Sequence, residues 1–341
     1  MIYIFIVQIR LRLYGWGIFK RRTLEARVIS IGNITLGGAG KTPVVAYLAG
    51  HLQGKNCQVG ILSRGYKRHS KGLQIVSDGQ TVPLSWPEAG DEPYFLARRL
   101  PGIPVIVGAD RTSAGRHGID RFGVNTLILD DGFQHLKLHR DLDIVVIDAS
   151  YPFGNGRVIP AGHLREPLKN LKRADLFWLT RVDQAEDLDS LRTVLHSIQP
   201  DASIVHSIYH PIGLRCCTSG SEVDLSILKG SKTALLCGIA NPISFQKTVA
   251  SLGADILERF SFPDHHPFAA AEIQKIQKAA SDRGAKCLVT TEKDGIRMPQ
   301  GGDALMPLYE LIIELRITHG EDILEEILWN EMHTKSCPQV N

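Results

Sequence analysis

Val28-Ile29-Ser30-Ile31, then Thr35-Leu36-Gly37-Gly38-Ala39-Gly40-Lys41-Thr42, then Pro43-Val44-Val45-Ala46-Tyr47-Leu48-Ala49 read in that order as a buried strand, a glycine-rich turn and the start of a helix. A strand, a turn ending in Gly-Lys-Thr and a helix make a phosphate cradle. Glycines let backbone N–H groups face phosphate oxygens, and the helix N-terminus adds partial positive charge. In such a loop Lys41 supplies a point charge for the β- and γ-phosphates, and the Thr42 hydroxyl is placed to ligate Mg²⁺. Thr35 stands where the usual pattern begins with glycine. The stretch predicts ATP or GTP binding.

Working outward, the first half of the chain alternates short apolar runs with helical segments. Val59–Leu62, Val105–Val107, Thr126–Leu129, Ile144–Ile147 and Leu176–Leu179 are strand candidates, spaced for crossover helices. That alternation predicts a parallel sheet covered on both faces. Leu73–Val76 and Thr81–Leu84 flank Asp78-Gly79 and read as a small hairpin. From Pro200 to Ser231 the pattern breaks into short β-like pieces, Ser203–Tyr209 and Gly213–Cys217, before Thr218-Ser219-Gly220-Ser221. A second α/β series follows. The expected class is therefore α/β: a P-loop NTPase-like parallel-sheet domain, a second and smaller α/β domain, and an N-terminal amphipathic helix. The boundaries are 1–24 for the helix, 25–202 for the P-loop domain, 203–231 for a β-rich linker and 232–333 for the C-terminal domain, with a frayed tail after it.

The chain has 341 residues, enough for two full cores, and its net charge of +3 gives no ground for a nucleic-acid partner. Six cysteines without Cys-x-x-Cys spacing fit a reducing compartment rather than a disulfide framework. Ile2–Val7 is wholly apolar, the trend continues to Phe19, and Arg10, Arg12, Lys20, Arg21 and Arg22 are interleaved or follow. A spanning helix needs about 20 mostly apolar residues, and Arg10 interrupts too early. The segment reads instead as a helix in the membrane interface, its basic residues on anionic lipid.

Polar residues gather where strands should end. Thr126–Asp131 is an apolar run closed by two carboxylates, where a P-loop sheet places a Mg²⁺-organising acid. Gly132-Phe133-Gln134-His135 follows. Asp91 and Glu92 open a predicted helix, as a cap or as a base for an incoming hydroxyl. Ser63–Arg68, Asp110-Arg111 and the Gly-Pro-rich run 154–168 bring basic residues to successive strand ends, which suits an anionic substrate. Pro263-Asp264-His265-His266-Pro267 reads as an exposed loop, and Lys293 of Thr290–Asp294 as a phosphate contact or a surface charge.

Taken together, these motifs resemble the tetraacyldisaccharide 4′-kinase family of lipid A biosynthesis. The resemblance runs from Val28 to Asp294. It rests on Ser30-Ile-Gly-Asn33, Gly37–Thr42, Leu62-Ser-Arg-Gly-Tyr-Lys-Arg68, Ala89-Gly-Asp-Glu-Pro93, Leu129-Asp-Asp-Gly-Phe-Gln-His135, Pro160–Leu168, Phe262-Pro-Asp-His265 and Thr290-Thr-Glu-Lys-Asp294. The family's loop also lacks the first glycine. The resemblance implies transfer of the ATP γ-phosphate to the 4′-hydroxyl of a tetraacylated glucosamine disaccharide 1-phosphate, with Mg²⁺, at the cytoplasmic face of the bacterial inner membrane. It implies Asp91 as base and His265 as its partner. It implies Thr35–Thr42, Gln134 and His135 around ATP, and Thr42, Asp130, Asp131 and Glu166 around the metal. Tyr66, Arg111 and Arg165 are implied as substrate contacts. A P-loop GTPase or ligase acting on a soluble metabolite is the alternative, but no Asn-Lys-x-Asp guanine signature follows a later strand. A nucleotide-dependent switch would not need Asp91 and His265 together.

Overall fold

The computed structural model describes residues 2–299 and 305–330. The expected frayed tail and residues 331–333 of the C-terminal domain lie outside the described residues. The chain divides into two compact units, one formed by 1–208 with 315–341, the other by 209–314.

In the first unit the elements run α1 (Ile2–Gly15), β1 (Arg27–Gly32), α2 (Lys41–Gly54), β2 (Val59–Ser63), β3 (Gln74–Asp78), α3 (Trp86–Ala89), α4 (Asp91–Arg99), β4 (Pro104–Val107) and α5 (Arg111–Phe122). Then come β5 (Thr126–Asp130), β6 (Leu142–Asp148), β7 (Leu176–Thr180), α6 (Leu188–Ile198) and the long β8 (Ser203–Cys216). Across the sheet the order is β8-β7-β6-β1-β5-β2-β4-β3. Every pairing from β8 to β4 along this order is parallel, and β3 joins β4 antiparallel. β1, β2, β5, β6 and β7 are buried along their whole length, which is why they read as unbroken apolar runs. The chain leaves β1 toward β2 on one side and places β6 on the other. β1 is thus the topological switch point, and the crevice past its C-terminal end is where such sheets bind ligands.

Two expectations fail. Thr81–Leu84 forms no strand. Gln74–Asp78 pairs instead with β4, and the Asp78 carboxylate closes the turn by accepting from the Gln80 and Thr81 N–H groups. Pro83 could not have donated to a hairpin ladder. Likewise, Ser203–Tyr209 and Gly213–Cys217 are one 14-residue strand, β8. Pro211 and Gly213 interrupt the sequence pattern without interrupting the strand.

The second unit adds β9 (Glu222–Val223), β10 (Lys232–Cys237), α7 (Pro242–Ser251), β11 (Asp255–Ser261), α8 (Ala270–Asp282), β12 (Cys287–Thr291), α9 (Glu292–Gly295) and β13 (Leu308–His319). Its strands run β11-β10-β12-β13, all parallel, with separate apolar clusters around Leu236 and Leu288 and around Leu235 and Val289. The unit boundaries fall inside β8 and β13. The final helix, α10 (Glu321–Asn330), belongs to the first unit. There buried Arg27, opening β1, donates to the Leu328 carbonyl at 2.5 Å, satisfying a helix-end acceptor with a positive charge.

Candidate active site

The glycine-rich loop follows β1 and ends in α2. Gly37 and Gly40 take φ of 98° and 87°, a region in which a Cβ is strained. Gly40 is the N-cap residue, and no side chain caps the helix. The first-turn N–H groups of α2 therefore keep their capacity for an anion. Lys41 reaches back over the loop, its Nζ 3.1 Å from Asn33 Oδ1 and 3.4 Å from Asp131 Oδ1. Asn33 in turn donates to Thr35 Oγ1 at 3.0 Å. Leu36 N–H is bound by the His163 carbonyl at 2.7 Å, so the 154–168 run forms one wall of the loop.

At the end of β5 the two aspartates have different environments. Asp130 is buried and accepts from Ser63 Oγ at 3.0 Å. Burial, then the nearby charges of Glu92 and Asp131, push its carboxyl up to about 6 against the pull of Lys41. Asp131 is a non-glycine residue at φ 56°, an uncommon conformation that turns its carboxylate toward Lys41 and Arg165. Burial alone would raise it, but those two cations hold it at about 2. The turn is tight behind it: a Cβ on Gly32 would strike Phe133.

Gln134 donates to the Asn33 carbonyl at 2.9 Å and to Glu166 Oε1 at 2.8 Å. Glu166 is buried and engaged on both oxygens, by the guanidinium of Arg173 at 2.9 and 3.0 Å and by Asn170 at 2.8 Å. Arg173 also lies over the Phe133 ring, 4.1 Å from its centroid. For His135, burial first and then Arg111 and Arg140 push the imidazole down to about 4.

Asp91 is buried at the start of α4, behind Gly90 at φ 90°. A Cβ there would crowd the Tyr66 carbonyl at 3.2 Å, so the Tyr66 loop is packed against the turn that presents Asp91. Tyr66 is 59% exposed. Arg111 is buried, its guanidinium held by the Gly108 and Ala109 carbonyls at 3.2 and 3.3 Å. Burial lowers its pKa, and the charges of Asp130 and Asp131 act on it in the opposite sense.

The structure thus collects Thr35–Thr42, Asp130, Asp131, Gln134, Arg165 and Glu166 at the C-terminal ends of β1 and β5. His265 belongs to the second unit, at φ 68°, with Nε2 3.6 Å from Asp264. Its side chain is only 13% exposed, so the loop is more enclosed than its flanking prolines suggest. Lys293 donates to Asp264 at 3.4 Å and is neither a free surface charge nor an isolated one. Sequence reasoning missed Asn170, Arg173, Asp148, Thr180 and Arg181. The polar Thr180-Arg181 pair after the apolar run 176–179 marks a strand end and nothing more.

The N-terminal helix is tied to this region by Tyr3 Oη, which donates to the Arg165 carbonyl at 3.0 Å, and by Gln8, which donates to Asn170 Oδ1 at 3.1 Å. Phe5, Ile6, Ile9, Trp16, Ile18 and Phe19 remain exposed. Among the described residues no helix is long and apolar enough to cross a membrane.

The chain matches the family described as Tetraacyldisaccharide-1-P 4′-kinase over residues 1–333. It is 41% identical over 318 residues to the tetraacyldisaccharide 4′-kinase of Anaeromyxobacter sp. (strain Fw109-5), covering 93% of this chain and 85% of that one. It is 39% identical over 344 residues to the protein of that name from Halothermothrix orenii, covering 96% and 89%. Among solved structures it is similar to the "apo" form of LpxK from Aquifex aeolicus in complex with ATP, with 35% identity, a TM-score of 0.75 and coverage of 97% and 96%.

Proposed function

The chain belongs to the tetraacyldisaccharide-1-P 4′-kinase family, and from that membership we propose how its residues divide the reaction. It is an ATP-dependent kinase of lipid A biosynthesis, transferring the γ-phosphate to the 4′-hydroxyl of a tetraacylated disaccharide 1-phosphate. Such a transfer is mainly positioning and charge neutralisation.

Residues 35–42 cradle the ATP phosphates through backbone N–H groups, with Gln134 and His135 beside them. Lys41, held ready by Asn33 and Asp131, exchanges those partners for phosphate oxygens. Thr42, Asp130 and Asp131 offer only oxygen donors, and the buried Asp130 carries negative neighbours that a hard cation would offset. This donor set fits Mg²⁺, which when bound neutralises charge on the phosphates. Glu166 stands behind that set, ordering Gln134. Asp91 takes the proton of the 4′-hydroxyl as its oxygen bonds to the γ-phosphorus and ADP leaves. His265, in the second unit, is the other residue that the family membership assigns to the chemistry. Tyr66, Arg111 and Arg165 contact the acceptor.

The exposed apolar residues of α1 and its extension, with Arg10, Arg12, Lys20, Arg21 and Arg22, rest on anionic lipid at the cytoplasmic face of the inner membrane. The acyl chains then stay in the bilayer while the sugar is phosphorylated. Deleting residues 1–22 should release the protein from anionic liposomes; full retention would overturn this placement.

The placement of Lys41 at the strand–loop–helix junction, against Asn33 and Asp131, carries the assignment. The test is transfer of labelled γ-phosphate to a tetraacyl acceptor by wild type, Lys41→Ala and Asp91→Ala. Both variants should lose at least about a thousandfold in kcat/KM. Normal turnover by Lys41→Ala would overturn the phosphate assignment, and normal turnover by Asp91→Ala the choice of base.

A further inference from the structure

Besides the His163 carbonyl on Leu36, the phosphate loop is held from the end of β7. Thr180 is fully buried, and its hydroxyl donates to the Ala39 carbonyl at 3.0 Å, nearer than the Ile147 carbonyl at 3.5 Å. Arg181 takes φ 55°, and its guanidinium donates to the Gly38 carbonyl at 3.5 Å and to Asp148 Oδ2, at the end of β6, at 2.6 Å. Both partners of that ion pair are nearly covered, at 11% exposure each. Neither Thr180 nor Arg181 belongs to the Lys41–Asp131–Arg165 cluster or to the roles assigned above.

A planar trans peptide sets its C=O and N–H on opposite sides. Holding the Gly38 and Ala39 carbonyls toward β7 therefore turns the Ala39 and Gly40 N–H groups away from it. The Ala39 N–H is spent on the Gly37 carbonyl at 3.2 Å. The Gly40 N–H belongs to the N-cap residue and precedes those of Lys41 and Thr42 at the start of α2, which no side chain caps. Three glycines in four positions give this stretch wide conformational freedom, and a loop free to rotate its peptide planes would lose that orientation. The left-handed conformation of Arg181 is a local cost, kept in place by bonds that include those to Gly38 and Asp148.

We propose that Thr180 and Arg181 are positioning residues for ATP. They hold the peptide planes of the phosphate loop in the orientation that binds the β- and γ-phosphates, with Asp148 fixing the guanidinium. This rests on the reading of 35–42 as the ATP site. The experiment compares Thr180→Val, which keeps shape but loses the donor, with Thr180→Ser, which keeps the donor, and with Arg181→Ala. The readouts are the dissociation constant for MgADP by calorimetry, KM for ATP, KM for the acceptor, and Tm. Thr180→Val should weaken MgADP and raise KM for ATP about tenfold, with the acceptor KM near wild type. Thr180→Ser should restore both to within about twofold. Should Thr180→Val fail to fold, Arg181→Ala, on the less buried arm, should still weaken MgADP about threefold. Unchanged nucleotide affinity in folded Thr180→Val or Arg181→Ala, or a serine variant as impaired as valine, would overturn the proposal. Lys41→Ala in the same titration separates the two claims. If it too leaves MgADP affinity intact, the site reading fails; if only Thr180→Val and Arg181→Ala do, this inference alone fails.

Discussion

The Asp131–Arg165 pair of the first unit and the Asp294–Arg297 pair of the second have the same chemistry and opposite surroundings. Asp131 and Arg165 come from segments 34 residues apart, and their side chains are 38% and 24% exposed. Lys41 shares the same carboxylate. Asp294 and Arg297 are three residues apart, both at 0% exposure. Asp294 also accepts from Thr291 Oγ1 at 2.7 Å and from the Gly238 N–H at 3.1 Å, stapling the end of β12 to the end of β10. Burial raises the Asp294 pKa while Arg297 opposes it. The difference separates a cluster built for exchange from one built to stay. Partly exposed cations held by one carboxylate can turn to an incoming phosphate at small cost, because water and the other partners replace what is lost. A fully buried pair cannot be opened without stranding a charge.

Removing one member of each pair sharpens that contrast. Asp294→Asn leaves Arg297 buried without its counter-charge and should cost about 3–5 kcal/mol of stability, read by urea denaturation. A loss under about 1 kcal/mol would place this pair with the surface ones. Asp131→Ala should show the reverse pattern. Its stability should change by less than about 1 kcal/mol, while kcat/KM should fall about a hundredfold, because Lys41 and Arg165 lose the group that orders them. A large drop in stability with normal kinetics would make Asp131 a structural residue and erase the distinction.

The same contrast explains what the sequence reveals. The phosphate loop, the Asp130-Asp131 turn and the strands feeding them are legible because their physics is local: fully buried parallel strands are apolar runs, and a loop that bends backbone toward phosphate needs glycine. Glu166 is different. The family resemblance implies it as a metal ligand, and only the fold shows both oxygens engaged by Arg173 and Asn170, from an irregular stretch without periodicity. Asp294 reads as one polar residue in Thr290–Asp294, because the Gly238 N–H meets it only through strand order, although Arg297 lies three residues on. Thr180 and Arg181 look like an ordinary strand end, since nothing in residues 176–181 says that β7 finishes beside the loop after β1. The Thr81–Leu84 run misleads for a related reason. Asp-Gly between apolar runs predicts a hairpin, but Gln74–Asp78 pairs with β4, a strand that is not its neighbour in sequence.

His135 supplies the smallest and most specific break point, a cation site among cations. Its imidazole is half-buried; burial first, then Arg111, Arg140 and Arg10, act against protonation, and Asp110 acts for it. Its folded pKa of about 4 lies below the ordinary 6.5. As pH falls, the unfolded chain therefore takes up the proton first. The stabilisation tied to neutral His135 is complete above about pH 6.5, is lost as pH drops toward 4, and then levels off. Between pH 7 and pH 5 the wild type should lose about 1–2 kcal/mol that a His135→Gln variant does not, after allowing for partial solvent screening. Urea titrations of both proteins at the two pH values isolate this term, because every other titrating group is common to them. An equal loss in both would mean that neither burial nor Arg111 and Arg140 bear on His135, and that water screens the positive charge at this strand end.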